Sequence, residues 1–165
     1  MRLLTHVGKY QGEIVAANIL GEPREANYDA IPDVVYTYPQ AASVGTPEAP
    51  FSATALLSEV AKTATYTHAY AYAYAYAYAY AYAESNGFLT LLSDGERLTC
   101  AYALGPEAGE WLQQATLAIR ARVPIDVPRD VIQPFPTFSE IYVAALSALH
   151  GKIIASRQPT GSTRP

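Results

Sequence analysis

The sequence predicts an α+β fold in which an antiparallel sheet is flanked by helices. A hairpin signal, Asp94-Gly95, separates two strand-like runs, GFLTLL and RLTCAYAL. Helical patterns with recognisable ends lie on both sides of this hairpin. Apolar residues make up 50% of the 165 residues, which is enough to form the core of one domain. The chain is too short for two domains.

The first third of the chain predicts one helix and one strand. Apolar residues at near-helical spacing predict a helix over residues 4–20, with Gly21 as its C-cap and Pro23 beyond it. The run DVVYTYP predicts a short strand that stops at Pro39. Residues 40–58 mix Ala, Ser and Pro, and predict only a helical turn near residues 53–57.

A period of two begins at Thr63 and continues through seven Ala-Tyr pairs, from Ala69 to Tyr82. As one strand, residues 63–83 would extend about 70 Å, far beyond the radius of gyration of about 15 Å of such a domain. As a helix the run would fit at about 30 Å, but its tyrosines would cover every side. We favour a protruding strand or hairpin. A helix and a disordered loop remain open.

The second half of the chain predicts the hairpin and two helices. Asn86-Gly87 is a turn signal before the first hairpin strand. Gly105-Pro106-Glu107 predicts a helix with proline at its first position, running to about Arg122. After a Pro-punctuated connector, Thr137 or Ser139 is expected to cap a last helix that ends at Gly151. Its expected inner residues are Ile141, Ala144, Ala145 and Leu149.

Charge and cysteine content exclude several classes of protein. The formal net charge is −4 and the basic residues form no stripe, which argues against a nucleic-acid partner. The single cysteine, Cys100, rules out an internal disulfide, is expected to be a buried small side chain, and indicates a reducing, cytoplasmic location. We expect no signal peptide and no membrane span. His6, His68 and His150 lack ligand spacing, so no metal site is predicted.

Several stretches in order carry a resemblance to a known family. They are THVGKYQGEIVAANILG, IPDVVYTYPQAASVG, GFLTLLSDGERLTCAYALGPEAGEWLQQATLAIRA and PFPTFSE. Together they resemble the C-terminal part of the flavin-dependent pyridine nucleotide-disulfide oxidoreductases, the group of dihydrolipoamide dehydrogenase, glutathione reductase and mercuric reductase. The resemblance covers roughly residues 3–149, apart from the Ala-Tyr pairs and the weak stretch before them.

The resemblance implies a domain organisation. Residues 1–30 are similar to the last helix of an FAD domain and its connector, and residues 31–150 to the dimerisation domain. Residues 69–82 then read as an expansion of an Ala-Tyr seed, and residues 151–165 as a tail. The FAD fingerprint, the redox cysteine pair and the nicotinamide domain of the family are absent from this chain, so we expect a fragment or a reduced relative that binds no FAD by itself.

The resemblance also implies a site. In the family, the last helix of the FAD domain points its N-terminus at the flavin ring. The matching helix of this chain would place Leu4, Thr5 and His6 beside that ring. The family motif HPTxSE reads FPTFSE here, and its histidine, the acid/base that reaches into the partner subunit, is replaced by Phe135. The expected cofactor-contacting residues of this motif are Phe135 and Pro136. Glu140 keeps the position of the catalytic carboxylate.

Two functions follow from these expectations. In the first, the chain is the dimerisation module and part of the flavin-pocket wall of an FAD-dependent NAD(P)H oxidoreductase, and it forms a homodimer. In the second, it is a stand-alone scaffold protein whose Tyr-rich β extension drives self-assembly, since long uncharged strand edges recruit partners.

Overall fold

The computed structural model describes residues 3–60 and 87–158. The alternating segment that starts at Thr63, the Ala-Tyr pairs and Asn86 lie outside the described residues, as does the end of the tail from residue 159. The strand, helix and loop interpretations of the Ala-Tyr run therefore remain predictions.

The described residues form five strands and five helices, with short 3₁₀ turns at Leu57–Glu59 and Phe138–Glu140. The helices are α1 (Thr5–Ile19), α2 (Ala108–Trp111), α3 (Gln113–Arg120), α4 (Asp126–Arg129) and α5 (Ile141–Arg157). The strands are β1 (Asp33–Val35), β2 (Gln40–Gly45), β3 (Phe51–Leu56), β4 (Phe88–Ser93) and β5 (Leu98–Gly105).

The five strands form one antiparallel sheet in the order β1-β2-β5-β4-β3. The hairpin strands β4 and β5 lie near its centre, with Leu91 opposite Ala101. On the other side of β5, strand β2 pairs Ala42 with Ala103. The predicted α+β fold with an antiparallel sheet is therefore confirmed.

One face of the sheet carries the core. Residues that alternate along the strands, including Val44, Ala53, Leu89, Leu91 and Ala103, are buried against the helices. Helix α3 packs on β5 and β2, and α5 packs on β3 and β4. The opposite face is more open: Val35, Leu56 and Tyr102 are exposed there. All the helices that contact the sheet extensively therefore cover one side of it.

Helix α1 agrees with its prediction. It ends at Ile19, and Gly21 has the left-handed backbone conformation (φ 84°) that glycine adopts without a Cβ clash. The N–H of Glu22 donates to the carbonyl of Ala17 at 2.9 Å, which closes the end of the helix.

Three expectations about the strands need correction. The predicted strand DVVYTYP is regular only over Asp33–Val35. Residues 40–45, left without an element, form β2. The helical turn predicted near residues 53–57 is wrong, because residues 51–56 pair with β4 as an edge strand and the turn starts only at Leu57.

The hairpin turn is longer than the Asp94-Gly95 signal suggested. Ser93 pairs with Leu98, which leaves a four-residue turn. The Asp94 carboxylate accepts the N–H groups of Glu96 and Arg97, both at 2.8 Å. Gly95 has a positive φ of 101°, which a residue with a Cβ adopts only at a cost.

The helices of the second half also depart from the prediction. Pro106 is not the first helical residue, because Glu107 is left-handed (φ 54°) and α2 begins at Ala108. The expected single helix is divided into α2 and α3 at Leu112. The connector contains the unpredicted one-turn helix α4.

The last helix was placed correctly at its start and wrongly at its end. Thr137 caps the 3₁₀ turn that leads into α5, and Ser139 does not. Gly151 does not end the helix, which continues to Arg157 through residues assigned to the tail. Ala144 is exposed, so its expected place in the core is wrong, whereas Ile141, Ala145 and Leu149 are buried.

Within residues 3–60 and 87–158, no helix combines the length and the apolar character needed to cross a bilayer.

Candidate functional site

The N-terminus of α1 is an open set of backbone donors. Leu4 is the N-cap in an extended conformation, and its carbonyl accepts the first helical hydrogen bond, from Gly8 at 3.0 Å. The N–H groups of Thr5, His6 and Val7 precede that bond, so the helix itself gives them no acceptor. No acidic side chain lies in the first turn. This end of the helix therefore favours a negatively charged group.

His6 is fixed beside this helix end by one hydrogen bond. Its Nε2 lies 2.8 Å from the carbonyl oxygen of Pro32. A carbonyl can only accept, so Nε2 carries the proton and Nδ1 is left as an acceptor. The bond ties the start of α1 to the segment that enters the sheet. His6, Tyr10 and Arg120 share a groove with residues 27–32 on that side of the chain.

The segment before α5 exposes large apolar side chains. Ile132 is 93% exposed and Phe135 is 75% exposed. Val127, Val131 and Val143 are also exposed, and Val143 lines a groove with residues of α4. We call Val127, Val131, Ile132, Phe135 and Val143 the apolar patch. These five side chains lie within residues 127–143, and exposed apolar groups can mark contact sites, so we treat the patch as a candidate contact surface.

A capping box holds the residues that follow Phe135. The Thr137 hydroxyl donates to the carbonyl of Pro134 at 2.7 Å, and it accepts the backbone N–H of Glu140. In return, the Glu140 carboxylate accepts the N–H of Thr137 at 3.2 Å. Phe138 is buried in the core between them. The motif therefore anchors the chain directly after Phe135 and Pro136, both of which are exposed.

This geometry specifies what Glu140 does in the chain. Its carboxylate satisfies a backbone donor at the start of its own helix, as the T-x-x-E spacing of a capping box predicts. Phe135 has no proton to exchange, and Pro136 has no side-chain polar group. The carboxylate is therefore occupied with holding the loop that presents Phe135.

The expected site residues lie in two separate groups. Leu4, Thr5 and His6 start α1, while Phe135, Pro136 and Glu140 lead into α5. In the described part of the chain, no hydrogen bond or ion pair joins the first three to the last three.

Tyr142 is a residue that the sequence analysis missed. Its side chain is fully buried, and its hydroxyl donates to the carbonyl of Trp111 at 3.1 Å and accepts the N–H of Ala115 at 3.3 Å. Those two backbone groups would bond to each other in a continuous helix. The hydroxyl is inserted between them, which accounts for the division of α2 from α3. Burial raises the pKa of Tyr142, so its hydroxyl stays protonated.

Two other residues behave as core. The Trp111 indole is buried, and its Nε1 donates to the carbonyl of Pro106 at 2.8 Å. Cys100 is 1% exposed, as predicted for a small buried side chain. Burial raises the pKa of the Cys100 thiol, while hydrogen bonds to Tyr102 and to the Ala101 backbone act in the opposite direction. Neither side chain is placed for chemistry.

Among the described residues, His, Cys, Asp and Glu side chains do not gather into a group of three that could hold a metal ion.

Comparison with known proteins gives one family. The model of the pyridine nucleotide-disulphide oxidoreductase dimerisation domain matches residues 31–146. The dihydrolipoyl dehydrogenase of Chlamydia muridarum is 31% identical over 141 residues, which cover 84% of this chain and 29% of that protein. The mitochondrial dihydrolipoyl dehydrogenase of Caenorhabditis elegans is 30% identical over 155 residues, covering 92% of this chain and 30% of that protein.

Solved structures share the fold at lower identity. LpdA from Mycobacterium tuberculosis superposes with a TM-score of 0.72 at 18% identity, over 90% of this chain and 31% of that one. A Cu(II) complex of a mutant of the HOCl-induced flavoprotein disulfide reductase RclA from Escherichia coli gives 0.74 at 19%, over 89% and 32%. The chain spans about a third of the length of the proteins it matches.

Proposed function

Because this chain belongs to the pyridine nucleotide-disulphide oxidoreductase family through its dimerisation domain, we propose that it forms a homodimer through the apolar patch. In that proposal the domain also supplies one wall of the flavin pocket of an FAD-dependent NAD(P)H oxidoreductase. The family match at residues 31–146 is the observation that carries the proposal. We propose residues 31–150 as the dimerisation domain, and its last helix, α5, continues past that bound to Arg157.

The exposed side chains support a second copy as the occupant of the apolar patch. Its five apolar side chains are exposed, and Ile132 is almost entirely so. They lie on the elements that precede and start α5, next to the anchored capping box. Burying an apolar side chain of this size contributes about 1.5 to 3 kcal/mol. Two symmetric copies of such a patch give a self-complementary contact, as in most homodimers.

The separation of the two site groups supports the same arrangement. In this proposal, Leu4, Thr5 and His6 of one copy come together with Phe135 and Pro136 of the other copy across the dimer. A symmetric dimer would create two such sites. The capping box would then serve to hold Phe135 and Pro136 at a fixed place in the partner's pocket.

The described residues fit one part of FAD. The N–H groups at the start of α1, without an acidic neighbour, suit the electron-rich edge of a flavin ring. A bound flavin would supply hydride chemistry between a nicotinamide and an acceptor. Thr5 and His6 would hold the ring edge through their backbone, while the rest of the cofactor would need residues that this chain does not contain. We therefore propose that the chain alone binds no FAD.

Phe135 indicates a different proton source from that of the classical enzymes. A histidine at this position could exchange a proton near neutral pH, whereas Phe135 offers only an apolar ring. We propose that the parent enzyme reduces an acceptor other than a classical disulfide, or takes its proton from another group. Glu140 then acts as a positioning residue through Thr137.

We propose that the Ala-Tyr pairs are not a functional element of the chain. We regard them as an expansion of a shorter Ala-Tyr seed between β3 and β4, in a protein of the reducing cytoplasm. They are not required for the contact through the apolar patch, which lies on other elements.

The proposal is tested by the solution mass of two matched variants. Ile132→Glu puts a charge into the apolar patch, and Leu56→Glu puts the same charge on the open face of the sheet. Light scattering should give a dimer for the unchanged chain and for Leu56→Glu, and a folded monomer for Ile132→Glu. A monomeric unchanged chain, or a dimer that only Leu56→Glu dissociates, would refute the proposed interface.

A further inference from the structure

A cavity of about 520 Å³ lies at the far end of α5 from the capping box. Its walls come from the β4–β5 turn, the segment that leads into α4, and the last two turns of α5. Ile125 is tied to the turn by the hydrogen bond from its N–H to the carbonyl of Glu96, at 2.8 Å. The cavity is therefore built from separate parts of the chain that are bonded to each other.

The cavity is lined by three arginines and two carboxylates, Glu96 and Asp126. Arg97, Arg122 and Arg157 line it, and Arg129 contacts it through His150. These four are among only 11 Lys and Arg residues in a chain of formal net charge −4. They come from four different places in the sequence, so no run of basic residues predicts that they lie together. Folding alone brings them together.

The arginines are only loosely paired. Arg97 lies 3.7 Å from the Glu96 carboxylate, and Arg122 lies 3.7 Å from Asp29. Such exposed pairs are worth about 0 to 1 kcal/mol and exchange readily. Arg157 donates to the carbonyl of Gly95 at 2.9 Å, and in the described part of the chain it has no carboxylate partner. Arg97 and Arg122 can therefore turn to a ligand at little cost, while Arg157 keeps its bond to Gly95 and has further N–H groups to donate.

His150 adds an N–H donor to the cavity. Arg129 Nη1 lies 2.8 Å from His150 Nδ1, and since arginine can only donate, Nδ1 is the acceptor and Nε2 carries the proton. Nε2 is 3.9 Å from the Asp126 carboxylate, too far for a hydrogen bond. Asp126 itself lies 3.4 Å from Arg129, which offsets its charge. Glu96 and Asp126 both line the cavity, and Glu96 is the one whose carboxylate lies beside a lining arginine, Arg97.

We propose that this cavity binds a small phosphate-bearing anion with at least two negative charges, a binding site separate from the dimer contact. All the basic side chains that line it are arginines, whose planar guanidinium groups match phosphate oxygens in pairs. Its size is that of a small-molecule pocket. Arg97, Arg157 and the Nε2–H of His150 hold the phosphate, and Arg122 closes the outer side.

The test uses inorganic pyrophosphate and the full chain, with titration calorimetry at low salt. Arg97→Gln and Arg157→Gln should each weaken pyrophosphate binding about tenfold or more. Arg24→Gln removes an equal charge away from the cavity and should leave binding unchanged. Glu96→Gln removes the competing carboxylate and should tighten binding about twofold to fivefold, whereas Glu107→Gln, outside the cavity, should not.

Thermal unfolding separates binding from folding. Arg157→Gln also loses its bond to Gly95. Its melting temperature without ligand is therefore only the reference, and the readout is the rise in that temperature that pyrophosphate induces. Arg97→Gln loses no backbone contact of its side chain and must show the same loss of the rise. No binding by the unchanged chain, or equal weakening by Arg24→Gln, would overturn the proposal. Neither result would bear on the dimer.

Discussion

The Tyr142 hydroxyl donates to the Trp111 carbonyl at 3.1 Å and so takes the place of a helical hydrogen bond. The displaced partner, the Ala115 N–H, donates to the same hydroxyl at 3.3 Å. Tyr142 lies two residues beyond Glu140, directly after the capping box. One buried hydroxyl thus links the loop that presents Phe135 to the division between α2 and α3.

Tyr142→Phe should lower the free energy of unfolding by about 1 to 3 kcal/mol, because a buried carbonyl and a buried N–H both lose their partner. Urea unfolding measures the change. Tyr36→Phe, at an exposed tyrosine, is the matched control and should have no effect. Unchanged stability in Tyr142→Phe would mean that α2 and α3 join into one helix in the variant, in which the Ala115 N–H donates to the Trp111 carbonyl.

Replacing Glu140 separates its capping role from any role of its charge. Glu140→Ala removes the acceptor for the Thr137 N–H and should cost about 0.5 to 2 kcal/mol. Glu140→Gln keeps a carbonyl acceptor and should retain most of that stability. Thermal unfolding of the two variants gives the comparison. If Gln were as damaging as Ala, the negative charge itself, and not the hydrogen bond, would hold the loop.

Gly151→Ala tests the corrected end of α5. The helix passes through Gly151, and an added Cβ would meet no atom within 4 Å. Alanine should therefore stabilise the chain by about 0.5 to 1 kcal/mol. Gly45→Ala is the contrasting variant, because Gly45 has φ 89° and its added Cβ would clash with the carbonyl oxygen of Thr99. It should destabilise. A loss of stability in Gly151→Ala would instead support a helix that ends at Gly151.

The buried thiol of Cys100 predicts a pH dependence. Burial raises its pKa in the folded chain, whereas the unfolded thiol ionises near pH 8.5. Above that pH the unfolded state releases a proton that the folded state keeps, so stability falls as pH rises toward the folded pKa. Cys100→Ala should show a shallower fall between pH 8 and about 10 in urea unfolding. Parallel curves for the two chains would contradict a raised pKa.

The sequence predicted the elements whose local signals agree with their pairing. GFLTLL and RLTCAYAL carry β-branched or aromatic residues around a turn signal, and they form β4 and β5. QAASVG and FSATAL were missed because small residues have weak strand preference. Their strands are set by pairing with β5 and β4, as in Ala42 opposite Ala103. Such contacts between distant residues leave no mark on the local sequence.

The candidate site shows the same difference between local sequence patterns and contacts between distant residues. Thr137 is one of the two caps that the sequence offers for the last helix, and the structure selects it through the capping box with Glu140. The role of Tyr142 depends on backbone groups 27 and 31 residues away, so no periodicity could reveal it. The cavity lined by Arg97, Arg122 and Arg157 likewise exists only because three segments meet. Local patterns predict elements and caps, and tertiary contacts decide which side chains share a site.

The solution mass of the chain with and without its Ala-Tyr pairs tests the dimerisation account most directly. Light scattering should be carried out on the full sequence and on a version in which residues 69–82 are cut to a single Ala-Tyr. The account predicts a dimer of the same stoichiometry in both, because the apolar patch lies on other elements. Large assemblies that form only with the pairs intact, and a monomer without them, would contradict it and favour a tyrosine-driven scaffold.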